Sequence, residues 1–184
     1  ANNTVNATEP VGGDSMNFRQ GEHNILYNAT ARSGYTVTQP GAVRLFSPLS
    51  GLFDGDTSPV TSSGGDVTGA APAVVQIDFP SRHSQSGGVA YGWNSRYWSP
   101  EDFTIELFTS TDNVTFAWET VATETGYSKK TYYKSHTIGK YIKGFRITVT
   151  DDASNSGLQI GDLYFEYGSE AMPYQELFVS SNFV

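Results

Sequence analysis

Two short stretches carry the side chains best suited to chemistry. FDGDTSP (53–59) sets Asp54 and Asp56 on either side of a glycine and follows them with the Thr57 and Ser58 hydroxyls. Calcium takes about six to eight oxygens, mixing carboxylates with backbone carbonyls in a tight turn. The alternative is a plain turn, with aspartate side chains bonding the backbone and glycine supplying positive φ. An EF-hand is excluded, because the loop position that must be Glu is Gly65.

The second stretch, GWNSRYWSP (92–100), packs two tryptophans, a tyrosine, an arginine and an asparagine ahead of a proline. Saccharides are gripped by an aromatic face under the C–H side of the ring and by fixed forks of donors such as Arg and Asn. The same composition also suits a strand whose large side chains fill a core. Trp93 extends the alternation Val89, Tyr91, Trp93, which turns it inward. Arg96 has a structural alternative too, an ion pair with Glu101 or Asp102. Two further loops offer polar groups: SRHSQSGG (81–88), with Arg82 and His83, and the basic turn GYSKKTYY (126–133), with Tyr127 and Lys129. A histidine in a Ser/Gly loop is ordinarily just exposed.

No catalytic constellation stands out. His23, His83 and His136 lack metal-ligand spacing, and HExxH, GxSxG and phosphate-binding glycine motifs are missing. Two carboxylates suffice for glycoside hydrolysis. Asp78, Glu106 and Glu166, however, fall on the wet faces of strands, so no enzymatic activity is expected.

The elements that must position these residues are strands. VVQIDF (74–79), FTIELF (103–108), FRITV (145–149) and DLYFEY (162–167) each alternate apolar and polar residues with period two. Turn-rich segments separate them, among them STDN, ETGYS and DDASNSG. Trp118, following a turn before Val121, reads as core. With 14% aromatics, 19 glycines and no credible helix, the 184 residues predict an all-β, antiparallel β-sandwich jelly roll. Residues 1–15 read as a polar arm or linker, 16–168 as the sandwich, and 169–184 as a C-terminal extension or linker.

A net charge of −8 argues against sequence-independent nucleic-acid binding, and against a general attraction to anionic membranes. No apolar run approaches the roughly 20 residues of a membrane-spanning helix, so no membrane insertion is expected. Six of the eleven cations (Lys129, Lys130, Lys134, Lys140, Lys143, Arg146) fall in a stretch without an acid from Thr125 to Thr150. That stretch reads as the solvated faces of two adjacent strands or as a local anion-binding patch. The chain has no cysteine, hence no disulfide framework. N-x-[ST] sequons occur at Asn2, Asn6, Asn28 and Asn113.

The order of motifs resembles the discoidin, or coagulation factor 5/8 type C, superfamily, and within it the family-32 carbohydrate-binding modules. LFDGDTSP (52–59), VVQIDF (74–79), SPEDFTIELFTSTDNVTFAWETV (99–121), YIKGFRITV (141–149) and IGDLYFEYG (160–168) follow one another as that pattern does, across roughly residues 45–168. The chain departs from it in three places. Phe116 and Trp118 stand offset from the usual single tryptophan, Asp162 replaces a frequent glutamate, and the paired cysteines of many animal members are missing.

The resemblance implies a galactose-binding-domain-like jelly roll with its ligand loops at one end. Its structural calcium would fall to Asp54, Asp56, Thr57 and Asp162. Its glycan contacts would fall to Asn94 and Arg96, with Tyr97, Trp98 or Trp93 as platform and with His83 and Arg82 alongside. The function it implies is a non-catalytic glycan-binding module targeting a larger extracellular, secreted or virion-surface protein to polysaccharide or cell-surface glycans. The alternative is a structural sandwich for protein–protein assembly, as in a phage tail fibre. The polar arm and the tail LFVSSNFV would then contact neighbouring domains or chains.

Overall fold

The computed structural model describes residues 24–83, 88–153 and 157–168, so the arm over 1–15 and the extension over 169–184 lie outside the described residues. Ten strands follow in chain order: β1 (Thr36–Thr38), β2 (Val60–Thr61), β3 (Ala73–His83), β4 (Gly88–Asn94) and β5 (Pro100–Ser110), then β6 (Ala117–Glu124), β7 (Thr131–Thr137), β8 (Tyr141–Asp152), β9 (Gln159–Ile160) and β10 (Asp162–Gly168). Helical structure among the described residues is limited to 3-10 turns at Ala29–Ala31 and Leu49–Leu52.

The four period-two runs all become strands, inside β3, β5, β8 and β10. They divide between two antiparallel sheets, one in the order β1-β3-β8-β5-β6 and one in the order β10-β4-β7. A short β2-β9 pair stands beside them. Period two gives each strand one inward set, and the two inward sets meet as the core. The larger sheet contributes Val75, Ile77, Phe103, Ile105, Leu107, Phe145 and Ile147, and the smaller contributes Val89, Tyr91, Trp93, Leu163 and Phe165. This is the antiparallel β-sandwich expected from the pattern.

Three local expectations are corrected. β7 and β8 belong to different sheets, so the basic stretch does not spread over adjacent strands. Two of its six cations take acidic partners on the larger sheet: Lys140 pairs with Glu119 and Arg146 with Glu106. Trp118 is not core. It sits across from Phe108 on the outer face of the larger sheet, with the Arg146 guanidinium 4.2 Å from its ring centroid. Space for the indole comes from Gly144, where a Cβ would stand 3.0 Å from it. Glu166 is buried rather than wet, and its carboxylate accepts a hydrogen bond from the Tyr164 hydroxyl.

Strand register fixes which loops share an end. Asn94 pairs with Thr131 on one side and with Asp162 on the other, so the termini of β4, β7 and β10 meet there. Pro100 pairs with Asp152 at the same end of the larger sheet. The loop 95–99 and the turn 125–130 are therefore neighbours.

Candidate functional site

The core itself closes the floor of this end. Trp93 is fully buried and meets Phe103 edge-on at 5.5 Å, with Tyr132 stacked at 6.2 Å. Tyr127 joins the same cluster, 5.7 Å from Trp93 and 5.2 Å from Tyr132. Neither ring is a free platform: Trp93 is core, and Tyr127 packs against it.

Above that floor runs the loop 95–99, tied on both sides. Toward the 125–130 turn, Ser95 N–H donates to the Lys130 carbonyl at 2.8 Å. The Lys130 ammonium returns two bonds, to the Tyr97 carbonyl at 2.5 Å and the Ser99 hydroxyl at 3.2 Å. Toward β9, Ser95 Oγ donates to the Gln159 carbonyl at 2.5 Å, and Gln159 N–H donates to the Trp98 carbonyl at 2.7 Å. Ala153 N–H bonds the Ser99 carbonyl at 3.0 Å. With its backbone so occupied, the loop turns side chains outward. Tyr97 is 60% exposed, Arg96 is exposed, and Trp98 is half-buried. The Arg96 guanidinium lies 5.6 Å from the Tyr97 ring centroid. No carboxylate among the described residues pairs with it, so the ion pair to Glu101 or Asp102 is not formed.

Asn94 is a correction. It ends β4 with its side chain only 1% exposed, and neither amide atom has a hydrogen-bond partner among the described residues. It faces inward to the 54–57 loop, not outward to a ligand. A Cβ on Gly161 would run into Asn94 Oδ1 and stand 2.8 Å from the Thr57 carbonyl oxygen, so glycine alone leaves this hollow open.

Arg82 and His83 are a second correction. They end β3, and β4 then runs its full length before reaching the loop at 95–99. Six residue steps of strand span about 20 Å, so these two lie at the far end of the sandwich. They cannot share a ligand with Arg96. Their side chains lie outside the described set.

Of the acids assigned to a metal, Asp162 lies against the hollow. It is 1% exposed, its Oδ1 accepts a long bond (3.4 Å) from Gly55 N–H, and its Oδ2 has no partner among the described residues. Burial pushes its pKa up to about 9; the Gly55 bond pulls the other way, and the nearby Asp54 and Asp56 charges add to the rise. Asp54 and Asp56 themselves are exposed and turned into the loop backbone. Asp54 accepts from Asp56 N–H at 2.9 Å, and Asp56 accepts from Ser58 N–H at 3.0 Å. Among the described residues no three carboxylate or imidazole side chains converge. The candidate oxygens are instead the Asn94 amide and the Thr57 carbonyl, which meet at Gly161, and the Asp162 carboxylate, which bonds the same loop at Gly55. That mixture suits a hard cation, and the orphaned atoms of Asp162 and Asn94 are what such an ion would satisfy.

Sequence reasoning assigned no role to Lys130, Gln159 or Gly161. Lys130 stood in the basic stretch and Gly161 immediately before Asp162, but their bonds link segments remote in the chain.

No protein-family model matches the chain, and no curated protein does. Solved structures do match. Chitosan-binding module 1, derived from a chitosanase/glucanase of Paenibacillus sp. IK-5, is 20% identical with a TM-score of 0.57, over 79% of this chain and 98% of that one. A CBM32 module produced by Clostridium perfringens, in complex with GlcNAc-α-1,4-galactose, is 20% identical with a TM-score of 0.50, over 79% and 93%. A GH31 CBM32-2 module bound to GalNAc is 16% identical with a TM-score of 0.51, over 72% and 96%. The fold is thus the discoidin-type, galactose-binding-like β-sandwich.

Proposed function

We propose that this chain is a non-catalytic glycan-binding module whose contact surface is the loop 95–99. The observation that carries the reading is Tyr97: a tyrosine 60% exposed, beside an arginine that no described carboxylate pairs, on a loop whose backbone is bonded from both sides. An aromatic face takes the C–H side of a sugar ring, and the Arg96 fork takes its oxygens. Trp98 offers a second apolar surface. The modules that share the fold support the reading by the sugars named for them. In this proposal the module serves an exported or virion-surface protein, where tethering raises local concentration at a glycan surface.

The same proposal gives calcium a bracing role. Asp162, the Asn94 amide oxygen and the Thr57 carbonyl would hold it, with Asp54 and Asp56 adding field. The ion would neutralise a buried carboxylate and lock the 54–57 loop to β4 and β10; it would do no chemistry on the sugar.

A glycan microarray tests the function. Binding that disappears in Tyr97→Ala while the melting temperature stays within about 2 °C supports it. An array clean at high protein concentration, with oligomerisation seen by light scattering, would favour the assembly role instead.

A further inference from the structure

We infer that the saccharide taken at this loop is anionic, carrying carboxylate or sulfate groups. The inference rests on the glycan reading of loop 95–99 and goes on to name the class of sugar.

The chain as a whole is acidic, at −8, yet the exposed end of the loop is bordered by cations that have no acidic partner among the described residues. Among the described residues the Arg96 guanidinium interacts only with the Tyr97 ring. The Lys130 ammonium is spent on neutral acceptors, a carbonyl and a hydroxyl, which orient its charge without cancelling it. Lys129 is exposed on the same turn and takes no hydrogen bond or ion pair among the described residues. The contrast with the larger sheet is direct. There, Arg146 is held by Glu106 at 2.5 Å and Lys140 by Glu119 at 2.7 Å.

Two acids flanking the 125–130 turn are bonded within the fold, while the exposed Asp54, Asp56 and Asp151 lie elsewhere at the same end. The Asp102 carboxylate accepts Gly126 N–H at 2.8 Å, and Glu124 accepts the Tyr132 hydroxyl at 2.9 Å. Both bonds turn these carboxylates toward the protein. Arg96, free on a fixed loop, presents the planar fork that matches a carboxylate or sulfate with two parallel bonds. Tyr97 beside it supplies the stacking face. A polycationic glycan such as chitosan, named for one module of the same fold, would meet like charge here.

The test uses the full chain on an array carrying neutral galactosides and N-acetylhexosamines, uronate-containing oligosaccharides, sulfated oligosaccharides and chitosan oligomers. Binding to the uronate or sulfated arm is expected. It should weaken severalfold as ionic strength rises from about 0.01 M to about 1 M, where the Debye length shrinks from about 30 Å to about 3 Å. Arg96→Gln combined with Lys129→Gln should reduce it about tenfold or more with an unchanged melting temperature, since charge-assisted bonds are worth about 1.5–3 kcal/mol. Which of the two acidic arms responds identifies the anionic group. Binding confined to neutral sugars or chitosan would overturn the inference and leave the glycan reading intact. Acidic binding indifferent to salt and to the double variant would overturn it as well. Silence on every arm would sink both.

Discussion

Asn94 and Asp162 are partners in register across β4 and β10, and each buries polar atoms that no described group satisfies. Two such residues side by side are costly unless something completes them, because an unpaired buried polar group forfeits about 1–3 kcal/mol. A cation fits that requirement, and the first predictions concern it.

Calcium is expected to raise the melting temperature. At about a hundredfold excess over Kd, a ligand specific to the folded state adds about 2.7 kcal/mol, or about 5–10 °C for a domain of this size. Calorimetry with calcium and with chelator checks it, and an unchanged midpoint would remove the ion from the account. Asp162→Ala should abolish the response. Gly161→Ala should do the same by filling the hollow.

Without the ion, stability should depend on pH in a particular direction. In the unfolded chain Asp162 ionises near its ordinary 3.8, whereas in the fold it keeps its proton up to about 9. A raised pKa contributes stability that is complete below the unfolded value and declines as pH climbs through the folded one. Denaturation in chelator from pH 4 to 9 should show that loss. Calcium should flatten the curve, and a flat curve in chelator would mean that Asp162 is compensated some other way.

Tyr97 and Trp93 should separate binding from folding. Tyr97→Ala removes an exposed ring and should change stability by no more than about 0.5 kcal/mol while abolishing glycan binding. Trp93→Ala empties the core and should cost about 3–5 kcal/mol. Urea unfolding beside isothermal titration calorimetry distinguishes the two.

Lys130→Met should act through the backbone of its neighbour loop. Loss of the bonds to Tyr97 and Ser99 should cost about 1 kcal/mol and speed amide exchange across residues 95–99. Exchange rates equal to wild type would show that the β9 side alone holds the loop.

The sandwich was legible because period two survives in four long strands, and burial of one face is a local property of each. The site was legible only in part. Arg96, Tyr97 and Trp98 stand out as candidates by type and contiguity, and the loop before Pro100 carries them together, Arg96 and Tyr97 exposed and Trp98 half-buried. Arg82 and His83 look near in sequence, but an entire strand intervenes, and linear spacing does not say that a strand carries the chain to the opposite end. Asn94 has the right residue type for a sugar ligand. Only its register against Asp162 and the opening at Gly161 turn it inward. Trp118 was misread because an aromatic after a turn carries no mark of which sheet face it takes, and the space left by Gly144 on β8 is a long-range fact.

The bonds that tie Ser95, Tyr97, Trp98 and Ser99 to Lys130, Gln159 and Ala153 engage the loop's backbone or short hydroxyl groups, leaving the Arg96 and Tyr97 side chains without a part in that scaffold. Their identities are therefore nearly independent of whether the protein folds. If the proposed glycan role holds, a lineage carrying this loop could exchange those two residues and change its sugar preference while the frame beneath stays the same. Preference here is a replaceable tip on a fixed mount.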